Sequence, residues 1–228
     1  MTPRELMYLH GFGSSAQSSK AAYLGARARA AGLGFQAPDL NRPDFATLTI
    51  ARMVEQTRTR LAEGPRRPVT LIGSSLGAVV ALFVPSAPEA AGRVDSIVLM
   101  APAIDLAPGL AAHFGPERMG EWERTNHLEV FHHAEQRMRA LGWGFFDDAR
   151  RHDPWTVEPA VPTLVFQGLQ DETVDAGAVQ RWASGRRNVS LLLLDDGHQL
   201  LNSLDRMWDA ILGFLPASAA RGERPAPG

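Results

Sequence analysis

Gly73, Ser75 and Gly77 form a Gly-x-Ser-x-Gly pattern, in which Ser75 is the residue that could act as a nucleophile. An apolar run at 69–73 predicts a strand before the serine, and an Ala-rich run at 76–83 predicts a helix after it. A tight strand-to-helix turn lifts a serine hydroxyl into the open, and small residues flank it because the turn is crowded. The helix N-terminus also points its N–H groups at anything bound there. We therefore predict that Ser75 attacks an acyl carbon.

His198 is the predicted general base. A serine hydroxyl is a weak nucleophile at neutral pH, so it needs a base to accept its proton. His198 follows an apolar run at 189–194, which predicts a strand. Because the carboxyl ends of parallel strands meet at one rim of a sheet, His198 and Ser75 are expected to emerge on the same side.

Asp171 is the predicted acid that orients this base. It lies in the turn after the strand predicted at 163–166, on the same rim. Glu172 and Asp175 in the same loop remain alternatives. Asp195 and Asp196 are so near the base in sequence that they would struggle to reach its far ring nitrogen while the serine holds the other.

An oxyanion hole needs two N–H donors for the negative oxygen of a tetrahedral intermediate. The backbone N–H of Leu76, next after the nucleophile, is one of them. The other is expected from the loop after the first strand, where two glycines let the backbone bend close to a substrate. We choose the N–H of Phe12, with Gly11 and Gly13 as alternatives. His10 is predicted to brace this loop with its ring rather than to take part in catalysis.

The remaining histidines do not form a metal-binding pattern. His127, His132 and His133 are close in sequence, but no matching carboxylate spacing accompanies them. These three, together with His113 and His152, are expected on a polar surface. We predict no metal and no cofactor.

Composition excludes several classes of function. The chain has 228 residues, enough for one sizeable core, and its net charge is −2 with both signs scattered, so no basic surface favours nucleic acid or anionic lipid. It has no cysteine, which excludes disulfides, thiolate metal sites and a cysteine nucleophile. No stretch resembles a signal peptide or a membrane span, so we expect a cytoplasmic protein that acts on a small molecule. Lys20 is the only lysine.

Short apolar runs alternate with helical patterns, which predicts an α/β fold: a parallel sheet with helices on both faces. Strands are predicted at 6–9, 35–37, 69–73, 94–100, 163–166 and 189–194. Helices are predicted at 19–30, 45–63, 76–83, 176–183 and 200–215, the first of them capped by Ser18 or Ser19. Residues 1–216 are expected to form one domain, and the small, Pro-bearing run at 217–228 a disordered tail.

Residues 105–159 break the alternation, because they contain no convincing strand. Helical stretches are predicted near 117–124 and 132–141, so the segment is expected to form a helical cap over Ser75. It is rich in aromatic residues, of which one or two are expected to line the pocket and to favour an apolar acyl or aryl group. These aromatic residues are Trp122, Phe131, Trp143, Phe145, Phe146 and Trp155.

Three stretches resemble the small bacterial YqiA-type esterases of the α/β-hydrolase superfamily. They are residues 8–15 (Tyr-Leu-His-Gly-Phe-Gly-Ser-Ser), 18–21 (Ser-Ser-Lys-Ala) and 73–77 (Gly-Ser-Ser-Leu-Gly). The order Ser75, Asp171, His198 also matches that of α/β-hydrolases. The resemblance implies an α/β-hydrolase fold and a carboxylic-ester hydrolase that acts on short acyl chains without a cofactor.

We therefore predict a serine ester hydrolase that acts on short- to medium-chain acyl or aryl esters through a covalent acyl-enzyme. The same machinery serves thioesterases, lactonases, peptidases and acyltransferases, which stay open as alternatives. A ligand-binding protein of the hydrolase fold is the non-enzymatic alternative. Neither the physiological substrate nor the oligomeric state follows from these residues.

Overall fold

The computed structural model describes residues 4–85 and 92–216. The strands are β1 (Glu5–Leu9), β2 (Gly34–Gln36), β3 (Val69–Ser74), β4 (Val94–Met100), β5 (Leu128–His132), β6 (Arg137–Leu141), β7 (Thr163–Gly168) and β8 (Val189–Leu194). The helices are α1 (Ser19–Ala30), α2 (Ile50–Glu63), α3 (Leu76–Phe83), α4 (Leu106–Thr125), α5 (Gly144–Ala149), α6 (Ala176–Ala183) and α7 (Leu204–Phe214). Short 3-10 turns occupy Pro154–Thr156 and Leu201–Ser203. The predicted tail at 217–228 lies outside the described residues.

Six strands of the described chain form one parallel sheet in the order β2-β1-β3-β4-β7-β8. This confirms the predicted α/β-hydrolase fold with about six parallel strands. The chain places β2 on one side of β1 and then β3 on the other, so the strand order reverses between β1 and β3. Ligands bind outside the carboxyl ends of the strands at such a reversal. Leu9 pairs with Gly73 at this point, which brings the ends of β1 and β3 together.

Helices cover both faces of the sheet, as predicted. Side chains alternate along β1: Leu6 and Tyr8 face the core that includes α1 and α7, whereas Met7 and Leu9 face the core that includes α2, α3 and α6. Strands that are buried on both faces appear as continuous apolar runs. The central strands β1, β3, β4 and β7 are buried along almost their whole length and could therefore be recognised from the sequence alone.

The ends of the helices follow from their caps. The hydroxyl of Ser18 accepts a hydrogen bond from the N–H of Ala21 at 3.3 Å, so Ser18 caps α1 as predicted. The predicted start of α2 was wrong, because Phe45 is buried in the preceding loop and the helix begins at Ile50 behind its N-cap Thr49. In the same way α7 begins after a 3-10 turn and not at residue 200. None of the helices within the described ranges combines the length and the apolar character of a membrane span.

The segment between β4 and β7 is only partly helical. The helix predicted near 117–124 lies within α4, which bends where Gly115 adopts a φ of 73°. The helix predicted at 132–141 is wrong, because β5 and β6 form an antiparallel hairpin there. Leu128, Val130 and His132 of β5 are buried in strict alternation. Burial of that face overrides the helix propensity of the Ala, Glu and Arg residues that follow.

Candidate active site

Ser75 occupies the sharp turn between β3 and α3. Its backbone has φ 53° and ψ −114°, a strained conformation for a residue with a side chain. Its N–H donates to the carbonyl oxygen of Met100 at 2.9 Å, which anchors the turn to β4. A β-carbon at Gly73 would lie 2.3 Å from the carbonyl oxygen of Gly77, so the turn closes only because position 73 has no side chain. This is the geometry of a nucleophile elbow.

Asp171 and His198 are in direct contact. Nδ1 of His198 lies 2.9 Å from Oδ2 and 3.1 Å from Oδ1 of Asp171. The carboxylate is fully buried, whereas 18% of the imidazole side chain is exposed. Because the N–H at Nδ1 donates to the carboxylate, Nε2 is the ring nitrogen that remains available to accept a proton.

Further donors hold Asp171 in place. Oδ1 accepts from the backbone N–H groups of Thr173 and Val174, each at 2.8 Å, and Oδ2 accepts from Nε2 of Gln167 at 3.0 Å. Burial raises the pKa of Asp171, but the hydrogen bonds from His198 and Val174 lead the effects that outweigh burial, so this pKa lies below its ordinary value. The carboxylate is therefore charged at neutral pH, as it must be to stabilise an imidazolium.

The alternative acids have other partners. Asp175 caps the N-terminus of α6. Asp195 accepts from a surface glutamine, and Asp196 accepts from a neighbouring backbone N–H. Within the described ranges neither these residues nor Glu172 forms a hydrogen bond or ion pair with His198.

Ser75 and His198 line one cavity of about 490 Å³. Their side chains are not hydrogen-bonded to each other in the described part of the chain. Hydrogen bonds between catalytic groups are often long without substrate and tighten in the complex. The structure therefore brings the candidate nucleophile and the candidate base to the same cavity, and their catalytic roles stay predictions.

Phe12 and Leu76 bring two backbone N–H groups to this rim. Neither N–H donates to another atom of the residues that the structure describes, so both are available to a negative oxygen. Gly11, the residue before Phe12, lies against the turn at Ser75, since a β-carbon there would be 3.3 Å from Cβ of Ser75. The loop after β1 thus lies directly against the serine, and the oxyanion-hole role of the Phe12 and Leu76 N–H groups stays a prediction.

The ring of His10 lies beneath this loop and is 1% exposed. Its Nδ1 is 3.0 Å from the carbonyl oxygen of Gly11, and its Nε2 accepts from the N–H of Leu40 at 3.0 Å. Backbone groups therefore occupy both ring nitrogens. This arrangement ties the loop to the chain after β2 and leaves neither nitrogen available for proton transfer.

The insertion contacts the loop after β1 from the other side. The N–H of Ala134, in the β5–β6 turn, donates to the carbonyl oxygen of Gly13 at 3.0 Å. The ring of Phe12 packs against Phe45 and Phe145, with centroids 5.3 Å away in each case. Residues distant in sequence thus fix the position of the Phe12 N–H.

The aromatic residues of the insertion do not line the cavity at Ser75, contrary to the prediction. Trp122 and Phe145 are buried in the core. Phe146 and Trp155 line a second cavity, of about 450 Å³, that contains none of the predicted catalytic residues. The wall beside the serine instead combines apolar groups such as Phe12 and Leu201 with polar side chains such as Ser18 and Lys20.

The histidines of the insertion differ in their surroundings. His132 is 1% exposed and packs nearly perpendicular to the ring of Phe45, so the prediction of a polar surface position was wrong for it. His127 is exposed and pairs with Glu129 at 2.9 Å. His133, in the β5–β6 turn, lines the cavity at the elbow. Within residues 4–85 and 92–216, no three His, Asp or Glu residues are grouped as metal ligands would be.

Three residues at this site were missed by the sequence analysis. Gln167 donates to Asp171, and Lys20 lines the cavity. Gly168 allows the loop after β8 to approach, since a β-carbon there would lie 2.3 Å from the carbonyl oxygen of Asp196. The available signals were a glutamine and a glycine at the end of an apolar strand, and a single lysine in the whole chain.

Comparisons with other proteins agree with this architecture. The model of an uncharacterised protein family, UPF0227, matches residues 5–215. No curated protein matches the chain in sequence. A putative hydrolase from Agrobacterium vitis S4 has a TM-score of 0.80 at 22% identity, covering 93% of this chain and 88% of its own.

Two further solved structures are similar. The mouse α/β hydrolase domain-containing protein 10 has a TM-score of 0.77 at 20% identity, covering 93% of this chain and 89% of its own. Est1E from Butyrivibrio proteoclasticus, with ferulic acid bound, has a TM-score of 0.73 at 17% identity, covering 92% and 87%. At these identities the likeness concerns the fold, which is that of the α/β-hydrolases.

Proposed function

The chain belongs to the UPF0227 family and has the α/β-hydrolase fold, and from this we propose that it is a serine ester hydrolase acting on short- to medium-chain acyl or aryl esters. One observation carries the proposal: His198 uses Nδ1 to contact the buried Asp171 and lines the same cavity as Ser75. The ferulic acid bound to Est1E supports a small carboxylic acid or its ester as the ligand. In this proposal residues 1–216 form one catalytic domain, with the insertion at 105–159 as its cap.

Acylation begins when Nε2 of His198 takes the proton of the Ser75 hydroxyl while Oγ attacks the ester carbonyl carbon. The carbonyl electron pair moves onto the oxygen, to which the N–H groups of Phe12 and Leu76 donate. Asp171 stabilises the imidazolium. The C=O bond then re-forms, the bond to the leaving alcohol breaks, and that alcohol takes the proton from His198.

Deacylation repeats these steps with water. His198 accepts a proton from a water molecule as its oxygen adds to the acyl carbon. Collapse of the second tetrahedral intermediate breaks the bond to Oγ of Ser75, which recovers the proton from the imidazolium. The carboxylic acid leaves, and the free enzyme is restored.

Labelling with a fluorophosphonate tests the proposal, because this probe bonds covalently to an activated serine. We expect the wild-type protein to be labelled at Ser75 and to hydrolyse p-nitrophenyl acetate. Ser75→Ala should lose both properties, whereas Ser190→Ala, at an exposed serine of β8, should keep both. Hydrolysis that survives in Ser75→Ala refutes the assignment. A wild-type protein that is neither labelled nor active would be a ligand-binding protein of this fold.

The class of bond is tested separately. Matched oxygen esters and thioesters of increasing acyl length, compared by kcat/KM, distinguish an esterase from a thioesterase. We expect the oxygen esters to be preferred, with a maximum at short to medium chains. A consistent preference for thioesters would replace esterase by thioesterase while leaving the role of Ser75 intact.

A further inference from the structure

Lys20 is a buried lysine in the first turn of α1. It is 7% exposed, and within the described residues its ammonium group forms neither a hydrogen bond nor an ion pair. Burial lowers the pKa of Lys20 to about 8, although the carboxylates of Asp171 and Asp196 act in the opposite direction. A buried charge without a contacting partner costs stability. Packing alone therefore does not account for a lysine at this position.

The cavity that Lys20 lines is the one that contains Ser75. No aspartate or glutamate is among the described residues that line it. Asp171 is fully buried against the imidazole, and Asp196 is only 5% exposed. Lys20 is therefore the one lysine, arginine, aspartate or glutamate among the described residues that line this cavity, and the carboxylates of Asp171 and Asp196, which attract it, do not line it. Four serines, Ser14, Ser15, Ser18 and Ser19, line the same cavity.

The N-terminus of α1 adds to this positive character. Ser18 caps the helix, and its Oγ and carbonyl oxygen accept from the N–H groups of Ala21 and Ala22. The N–H groups of Ser19 and Lys20 have no acceptor in the described part of the chain. Unpaired N–H groups and the helix dipole attract negative charge at such an end.

From these contacts we propose that the cavity beside Ser75 contains an anion subsite, formed by Lys20 and the N-terminus of α1, that selects esters carrying a carboxylate or phosphate group. The proposal rests on the proposed role of Ser75 as nucleophile. An anion in this position would receive a charge-assisted hydrogen bond from the ammonium group, which is the strong kind. The bound anion would also supply the partner that the buried lysine lacks.

Paired substrates test this selection. Mono-p-nitrophenyl esters of dicarboxylic acids, from succinate to pimelate, carry an acyl-side carboxylate at increasing distance, and each is compared with its methyl-capped diester after subtraction of spontaneous hydrolysis. Meta-acetoxybenzoate and its methyl ester place the charge on the alcohol side instead. Meta-acetoxyphenyl phosphate replaces the carboxylate by a phosphate. The charged ester with the largest advantage in kcat/KM shows whether the subsite takes an acyl-side carboxylate, an alcohol-side carboxylate or a phosphate.

We expect at least one charged ester to exceed its neutral partner in kcat/KM by about tenfold or more in the wild type. Lys20→Met should abolish this ratio, and Lys20→Arg should retain part of it. Arg29→Met removes an equal charge from an exposed position of α1 and should leave the ratio unchanged. The ratio between two substrates is used because it cancels any effect on the triad. No charged preference, or one that survives in Lys20→Met, overturns the proposal.

A binding measurement tests whether the anion subsite exists even if no ester is hydrolysed. Since Lys20 is the only lysine, protein labelled with ¹³C-lysine gives a single side-chain signal, to which the histidines of the cavity do not contribute. Adipate or inorganic phosphate should raise the pKa read from this signal in Ser75→Ala protein, and dimethyl adipate should not. A pKa that neither anion moves refutes the subsite. If the wild-type protein hydrolyses none of the esters while the pKa response is intact, the esterase proposal alone is refuted.

Discussion

A β-carbon at Gly77 would lie 2.1 Å from the carbonyl oxygen of Leu9. Side chains never approach a carbonyl oxygen so closely, so α3 contacts the end of β1 only because position 77 has none. This contact holds the elbow that follows β3 against the loop that follows β1. The glycine therefore helps to set the distance between Ser75 and the N–H of Phe12.

Gly77→Ala is expected to lower the free energy of unfolding by about 1–3 kcal/mol, because the methyl group must push two backbone segments apart. It should also reduce kcat, since Ser75 and Phe12 separate. Gly120→Ala in α4 is the matched control: its β-carbon meets no atom within 4 Å, and alanine in a helix should raise that free energy by about 0.5–1 kcal/mol. Urea denaturation of both variants measures these two changes in the free energy of unfolding, which should have opposite signs. Equal changes would contradict the close contact between Gly77 and Leu9.

Asp171→Asn is expected to lower kcat by about 10³–10⁴-fold while the protein stays folded. The amide can no longer stabilise the imidazolium, and its NH₂ group favours the wrong tautomer of His198. Glu172→Gln, an exposed neighbour in the same loop, should leave kcat within about twofold. Steady-state kinetics with p-nitrophenyl acetate decide the matter. Equal loss in both variants would mean that the loop matters only for its shape.

Gln167→Leu is expected to raise the pKa of Asp171 and to lower kcat by about tenfold, because the charged carboxylate loses the donor at 3.0 Å from Oδ2. NMR titration of the Asp171 carboxyl carbon measures the first effect directly. Gln180→Leu, at an exposed position of α6, controls for loss of a glutamine. An unmoved Asp171 pKa would show that the backbone donors alone hold the carboxylate.

Lys20→Met is expected to be more stable than the wild type at pH 7, by an amount on the order of 1–3 kcal/mol. The pKa of Lys20 falls from 10.5 in the unfolded chain to about 8 in the fold, so the unfolded state binds its proton more tightly. Wild-type stability should therefore rise between pH 8 and 10.5, and the cost is fully present below pH 8.

The difference in the free energy of unfolding between the wild type and Lys20→Met tests this pH dependence. Urea denaturation measures this difference at pH 7, 8, 9 and 10. The contributions of all other titrating groups cancel in it, because those groups are present in both proteins. The advantage of Lys20→Met should shrink steadily above pH 8. A constant difference across this range would mean that the fold does not lower the pKa of Lys20.

Local patterns predicted most of the fold. The central sheet strands were recognisable because burial on both faces makes them continuous apolar runs. Ser18 was recognisable as a cap because its hydroxyl accepts a hydrogen bond from the first turn of the helix. The hairpin at 128–141 was not, because residues such as Ala140 and Arg139 favour a helix locally. Their strand pairing with Glu129 and Val130 depends on packing across the insertion.

The sequence by itself determined the kinds of group at the rim: a serine in a glycine-flanked turn, a histidine and an aspartate after later strands, and a glycine loop after the first. Each is a local property of chain chemistry and strand order. Only the tertiary structure decided which aspartate reaches His198, which wall faces the serine and where Lys20 lies. Those relations join residues far apart in sequence, and contacts of that range are set by how the elements pack.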